Sequence, residues 1–372
     1  MPVAWPERVL VGLLLAASLV ITGFGPPVIT DGGFPPLRMD ADQVRLQQKL
    51  VLPPQITAAS ALVVDVDSGR TLYAVRPRDR LPPASTAKLM TALLTLQRAK
   101  LDDQVRVSQR AAGTSGSRMG LTAGELLTVK DLLYGLLLPS GNDAAVALAE
   151  HVSGSEAQFV ALMNEAAASM GMSDTHYANS DGQDDPAQVT SVGDLVNVAS
   201  AALEYPAFAE IVAAQNARAA GHSLENTNQL LGAYRGADGV KTGTTDLAGE
   251  CLVASVTRDG HRLLVAELGS KDRYADAEAL LNFAAAGWRW LPATLPDNAL
   301  SWATGPDGRA YRLRTEQPAQ LFLPAWQWPL AAPVVALSST VPLSGTAPVG
   351  TLSWVMGGQV LTTLTITTWL NP

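Results

Sequence analysis

Strand-like stretches stand at the two ends of a long helical block, and that order constrains the fold more than any other feature of the chain. Ala61-Leu62-Val63-Val64-Asp65 and Thr71-Leu72-Tyr73-Ala74 are apolar or β-branched runs. Asp67-Ser68-Gly69-Arg70 between them is a turn signal, so the pair predicts a hairpin. Pro82-Pro83-Ala84-Ser85 then introduces a helix whose Leu89, Leu93 and Leu96 share one face. Residues 126–150 carry two helical patterns broken at Leu138-Pro139-Ser140-Gly141-Asn142. Residues 155–170 and 191–215 are helical, and 173–188 form a polar loop between them. Strands return at Gly239-Val240-Lys241-Thr242-Gly243, at Glu250 to Val256 and at Arg262 to Leu268, the last two joined by Arg258-Asp259-Gly260. Residues 275–290 predict a closing helix. One sheet must therefore draw its strands from both ends, with helices packed on it: an α/β sandwich.

The flanks differ in texture. Past Pro292, Pro and Gly recur between short apolar or Thr-rich runs such as Ala319-Gln320-Leu321-Phe322 and Thr362 to Thr367. Residues 293–372 therefore predict a small all-β domain. At the other end Arg8 precedes an apolar run, Val9 to Val20, closed by Gly25-Pro26-Pro27. A cation before a short apolar core is the pattern of an export signal. The run falls short of the roughly 20 residues that span a bilayer. No small-x-small cleavage site follows it, so residues 1–27 are either a signal peptide or an uncleaved N-terminal membrane anchor. Residues 25–38, rich in Pro and Gly, extend as a linker, and Asp40 to Leu50 suits a short polar helix. The expected boundaries are 1–27, a linker at 28–54, a main domain at 55–292 and a β-rich domain at 293–372.

Net charge of -8 excludes the basic footprint of a nucleic-acid binder. The single cysteine, Cys251, lies in the apolar run Cys251-Leu252-Val253-Ala254 and reads as a small buried hydrophobe. No His, Cys or Asp cluster has zinc spacing, so neither a metal nor another cofactor is expected.

Three short motifs carry the chemistry. In Ser85-Thr86-Ala87-Lys88 the first and last residues share a helix face, which brings an amine beside a hydroxyl. A serine needs a base to become a nucleophile, and a lysine serves once burial and a second cation lower its pKa. The helix start adds backbone N–H groups for an oxyanion. Ser140-Gly141-Asn142 lies in a break between helices, where a hydroxyl relays a proton and an amide orients a ligand. Lys241-Thr242-Gly243 opens a strand: lysine and threonine suit a carboxylate, and glycine admits a ligand backbone to the strand edge. Lys241 is also the expected second cation for Lys88.

This trio is the one found in penicillin-binding proteins and β-lactamases. The stretches Pro83 to Leu94, Ser140 to Ala149, Asn226-Thr227-Asn228, Gly236 to Thr245 and Ala248 to Ser255 closely resemble the low-molecular-weight penicillin-binding proteins. These are the serine D-Ala-D-Ala carboxypeptidases of peptidase family S11, and the resemblance covers roughly residues 57 to 290. It implies a transpeptidase-like domain, an antiparallel sheet flanked by helices, that removes the terminal D-Ala from peptidoglycan stem peptides and is blocked covalently by β-lactams. It implies that Ser85 forms the acyl-enzyme, Lys88 takes its proton and Ser140 assists proton transfer. Asn142 would orient the substrate, Lys241 and Thr242 would bind its carboxylate beside Gly243, and the N–H groups of Ser85 and Thr244 would form the oxyanion hole. Either outcome for the N-terminal export segment puts the body of the protein outside the cytoplasm, in the periplasm or on the outer face of the cytoplasmic membrane.

Two places depart from the family. Asn179-Ser180-Asp181-Gly182-Gln183 replaces the more usual Asn-Pro-His-Gly-Leu. Thr362 to Pro372 lacks the basic amphipathic helix of many relatives, which leaves the N-terminus as the tether to the membrane. Three rival functions remain: a β-lactamase, for which no Glu-x-x-Leu-Asn motif is found; a D,D-endopeptidase on the same scaffold; and a non-catalytic wall-binding protein. Asp181, Asp184 and Asp185 read as a solvated loop rather than a cation site. His151, His176, His222 and His261 are too scattered to point to a Ser/His/Asp triad. Trp288 and Trp290 are expected to pack the end of the main domain, and Trp326 and Trp328 to pack a core or edge.

Overall fold

The structure, a computed structural model, describes residues 28–29, 52–297, 299–304, 308–338 and 348–369. The export segment 1–27, most of the linker 28–54 and the polar helix expected over residues 40–50 lie outside the described residues. The chain divides into two units, one of residues 52–287 and one holding the described residues before 52 and from 288 on.

The larger unit begins with the hairpin β1 (Ser60–Asp65) and β2 (Arg70–Val75). Its turn is fixed by Asp65, whose carboxylate accepts from the N–H and the hydroxyl of Ser68. A 3-10 turn, Ala84–Ala87, leads into α1 (Lys88–Arg98). A small ribbon, β3 (Gln104–Arg106) with β4 (Leu126–Thr128), brackets the short α2 (Gln109–Ala112). Next come α3 (Val129–Leu137), α4 (Asn142–Ser153), α5 (Glu156–Ser169), α6 (Val192–Leu203) and α7 (Pro206–Ala213). Their boundaries follow from local chemistry. Thr128 and Asp131 form a capping box on α3, Gly154 ends α4 in the left-handed region, and Ser155 and Ser191 cap α5 and α6.

A second ribbon, β5 (Asn216–Ala219) with β6 (His222–Glu225), precedes three long strands. These are β7 (Ala237–Thr245), β8 (Gly249–Arg258) and β9 (His261–Ser270), and α8 (Arg273–Gly287) follows. The β8–β9 loop is Asp259-Gly260, both at positive φ, 51° and 82°, as a two-residue hairpin of this twist requires. The five-stranded antiparallel sheet runs β2-β1-β9-β8-β7, so the two ends of the unit meet at β1 and β9 and β7 is left at an edge. Leu264, Ala266 and Leu268 of β9 join one core with the apolar faces of the helices from α1 to α7. Burying that much apolar surface is the main force holding the sheet and helices together.

The second unit opens with β10 (Trp288–Pro292), where the sequence predicts the end of a helix. Helix α8 stops at Gly287, and the alternation of Trp288 and Trp290 is that of a strand, pairing with β13 (Gln320–Pro324) and stacking both rings on Phe322 at 5.3 and 4.8 Å. Val28–Ile29 forms the edge of a six-stranded sheet. Its other strands, in spatial order, are β14 (Ala332–Leu337), β15 (Pro348–Met356), β16 (Gln359–Trp369), β12 (Ala310–Thr315) and β11 (Trp302–Thr304). Leu313, Val335, Leu352 and Ile366 form its core, and Trp328 stacks on Trp354 at 5.3 Å.

Candidate active site

The turn before α1 is tight. Ala84 has φ 48°, a region that side-chain-bearing residues rarely adopt, and Thr86 closes the turn with its N–H and hydroxyl on the Pro83 carbonyl, at 3.2 and 2.6 Å. Lys88 is the first residue of α1, three positions after Ser85, and fully buried. Its Nζ reaches three oxygens: Ser85 Oγ at 2.9 Å, Asn142 Oδ1 at 2.7 Å and the backbone carbonyl of Asp181. Asn142 must present its oxygen there, because its Nδ2 donates to the Ser115 carbonyl at 2.8 Å. Two of the three oxygens can only accept. A neutral amine donates its two N–H bonds to them, and its lone pair is left facing the one group that can also donate, the hydroxyl of Ser85.

Burial pushes the Lys88 amine down to about 8, against the carboxylates of Asp181 and Asp143, which hold it up. Lys241 is also buried, and its Nζ donates to its own neighbour's carbonyl, Thr242 O, at 2.9 Å. Its amine is held well below the usual lysine range by burial and then by the cations Lys88 and Arg273. Burial and Lys241 together are the expected causes of a lowered Lys88; burial is the one that lowers it, and Lys241 is not among the groups that do. The repulsion between the two amines falls on Lys241, the harder of the pair to charge.

Ser140 has φ 64° and its buried hydroxyl has no hydrogen-bond partner among the described residues. It lines a cleft of about 280 Å3 together with Ser85, Ser117, Thr227, Thr242, Gly243, Thr244 and Arg273. Edge strand β7 forms one wall. A Cβ on Gly243 would stand 2.9 Å from Ser85 N and 3.2 Å from the Pro83 carbonyl, so only glycine lets β7 lie this close to the turn. Thr242 and Thr227 share a hydroxyl hydrogen bond of 2.6 Å. Of the eight residues that the sequence nominates, Ser85, Ser140, Thr242, Gly243 and Thr244 line the cleft, while Lys88, Asn142 and Lys241 are not among its lining residues.

Sequence reasoning missed Arg273. It begins α8, is 7% exposed, and its guanidinium donates to the carbonyls of Gly243 and Cys251 at 2.8 and 3.1 Å and to Thr244 Oγ1. It pairs with Glu250 at 3.2 Å, and that hydrogen bond holds the Glu250 carboxyl below its usual range. The guanidinium thus places a cation at the cleft end of β7. A lone Arg in Lys271-Asp272-Arg273 carries no spacing signal, and only the β9–α8 connection reveals it.

The 179–183 loop is not the solvated loop expected. Asp181 is buried, its carboxylate accepts from Gln183 N and Nε2 at 3.0 and 2.9 Å, and Thr91 on α1 donates to the Ser180 carbonyl at 2.6 Å. Gly182, at φ 86°, has no room for a Cβ, which would overlap the Ala84 carbonyl. The loop therefore sits directly on the serine turn. Asp184 and Asp185 accept backbone N–H bonds from Leu247 and Ala187, and among the described residues no group of three or more His, Cys, Asp or Glu could hold a metal ion. Among the described residues no histidine lines the cleft; His222 pairs with Glu125 at 2.7 Å and His261 with Asp67 at 3.1 Å.

The model of the peptidase S11 family, described as D-alanyl-D-alanine carboxypeptidase, matches residues 47–272, more than half the chain. The chain belongs to this family. The curated relatives include D-alanyl-D-alanine carboxypeptidase DacF of Bacillus subtilis, 37% identical over 240 residues, or 61% of this chain and 62% of the relative. The chain thus spans under two thirds of that relative's length. DacA of Escherichia coli is 31% identical over 349 residues, 86% of this chain and 85% of the relative. Penicillin binding protein 5 from Haemophilus influenzae shares the fold, with TM-score 0.66 and 26% identity over 86% of this chain and 98% of that one. The α/β architecture with its β-rich C-terminal region is therefore that of penicillin-binding proteins.

Proposed function

We propose that this family member is a serine D-Ala-D-Ala carboxypeptidase, removing the terminal D-alanine of peptidoglycan stem peptides through an ester on Ser85. The observation that carries this reading is the Lys88 amine, buried, lowered to about 8 and 2.9 Å from the Ser85 hydroxyl. In the first step Ser85 Oγ attacks the peptide carbonyl and its proton passes to neutral Lys88. The carbonyl oxygen becomes an oxyanion held by the backbone N–H groups of Ser85 and Thr244. The proton then reaches the leaving amine by way of the Ser140 hydroxyl, the C–N bond breaks and D-Ala departs. Water, losing its proton to Lys88, next attacks the ester and frees Ser85.

Asn142 orients the substrate and fixes the base. Thr242 and Thr244 receive the terminal carboxylate, with Arg273 as the facing cation and the buried Lys241 amine behind, while the edge of β7 at Gly243 takes the substrate backbone. A β-lactam, an acyl donor of the same shape, acylates Ser85 and stays. The N-terminal apolar run supports a location outside the cytoplasm, at the outer face of the membrane or in the periplasm.

The direct test is release of D-Ala from a stem pentapeptide. The reading expects release by the wild-type protein and none by Ser85→Ala. Monomers appearing from cross-linked dimers would indicate an endopeptidase, and rapid penicillin turnover a β-lactamase.

A further inference from the structure

One buried carboxylate beside the site has more partners than any helix cap requires. Asp143, fully buried at the start of α4, follows Asn142 directly. Its Oδ1 accepts from the N–H of Met119 and of Ala144, both at 2.9 Å, and its Oδ2 accepts from Gly120 and Leu121 at 2.9 and 3.0 Å. Arg118 Nε lies 3.7 Å away. Three consecutive amides that belong to no helix or strand thus converge on one side chain.

The segment they belong to forms the other side of the site. Ser117 O accepts from Asn142 N at 2.7 Å, and Ser115 O accepts from Asn142 Nδ2. Ser117 lines the catalytic cleft, and Ser115 lines a neighbouring cavity of about 460 Å3. The packing is close. A Cβ on Gly141 would lie 2.8 Å from Asp143 Oδ1 and 2.9 Å from Met119 N, and one on Gly116 would lie 2.7 Å from Asn142 Nδ2.

We propose that Asp143 is a positioning residue of the reaction, its carboxylate fastening residues 115–121 to the Ser140-Gly141-Asn142 turn and so fixing Asn142 against Lys88. The inference rests on the acyl-transfer role of Ser85 and Lys88 and assigns a task to a residue outside the three motifs. Apart from its own helix and the Lys88 amine that it holds, Asn142 has two hydrogen-bond anchors among the described residues, and both are carbonyls of this segment. If the segment drifts, the amide oxygen that holds the Lys88 amine drifts with it.

The charge of Asp143 gives a second readout. Lys88 is faced by Asp143 from α4, by Asp181 from the 179–183 loop and by Lys241 from β7, whose amine is in turn faced by Arg273 from α8. Asp143 and Asp181 favour the ammonium form of Lys88. Removing one of these charges makes the free base available at lower pH.

The test is the rate of acylation by a penicillin across pH 6–10 in the full chain, with thermal melting run alongside. Asp143→Asn keeps one oxygen but turns an amide toward two N–H groups. The expected result is a loss of roughly tenfold or more on the plateau, as small displacements of catalytic groups produce, with the acid limb moved to lower pH. Asp143→Glu, which keeps the charge, is expected to leave that limb in place. A plateau within twofold of wild type overturns the proposal, and so does a lowered plateau with an unmoved limb and a proportionate loss of melting temperature. If Asp143→Asn does not fold, amide exchange on the wild-type protein decides. Protection of Met119, Gly120 and Leu121 comparable to that of α4 is expected, and exchange at the rate of open loop amides overturns the proposal. A wild-type protein that takes no penicillin would refute the proposed reaction, while amide exchange would still read the brace.

Discussion

Lys88 carries opposing demands. It must be neutral to take a proton from Ser85, yet Asp143 and Asp181 favour its charge. Burial wins, and leaves the amine near 8, close enough to neutrality that a useful fraction is free base. The sign of the pH dependence follows. Below about 8 the amine is protonated and cannot act as base, so the acylation rate should climb as pH rises through that value. Stopped-flow acylation by a chromogenic β-lactam measures it; a rate flat from pH 6 to 9 would remove the lysine from the role. Lys88→Ala should lower acylation by about 10²- to 10⁴-fold, the usual contribution of a general base, with the circular dichroism of the fold unchanged.

Elements place these side chains, and here the sequence was legible in part. The three motifs were readable because each sits where an element begins or breaks: before α1, between α3 and α4, and on β7. Hairpin β1–β2 and strands β7, β8 and β9 were readable from apolar runs and from the turns Asp67-Ser68-Gly69-Arg70 and Arg258-Asp259-Gly260. The short ribbons β3–β4 and β5–β6 were not, since Gln104–Arg106 is mostly polar and Asn216–Ala219 alternates polar residues with alanine, and both hold strand geometry through their partners. Asp181 read as loop because nothing local says that Gly182 presses its neighbour into the serine turn. Arg273 and the brace of Asp143 depend on contacts 22 to 30 residues apart, which no period encodes.

Glu267 shows an element-level cost. It lies in the middle of β9, paired with Ala61 and Leu252, and among the described residues neither carboxyl oxygen has a hydrogen-bond partner. Burial, then the Asp276 carboxylate, pushes its pKa well above the usual range. Between that usual range and the raised one, the unfolded chain has released a proton that the folded chain keeps. Stability therefore falls as pH rises across the window, by about 1.4 kcal/mol per unit. Glu267→Leu should stabilise the protein at neutral pH by about 1–3 kcal/mol, the gain growing with pH and fading in acid. Denaturant melts at pH 5 and pH 8 check this; a destabilised variant at pH 8 would contradict it.

On the scale of the whole chain, every residue of the cleft lies within residues 52–287, a continuous stretch with its own core. A chain of residues 52–287 alone should fold and react with penicillin at a rate within a few-fold of the full protein. A stretch that folds but takes no label would assign the second unit a part in the chemistry. The proposed reaction turns on one bond, between Ser85 Oγ and an acyl group. Intact-mass spectrometry after incubation with benzylpenicillin, followed by peptide mapping, reads that bond directly. One penicilloyl group on Ser85, absent from Ser85→Ala, is the predicted result. An unlabelled protein, or a label carried by any other residue, would contradict it.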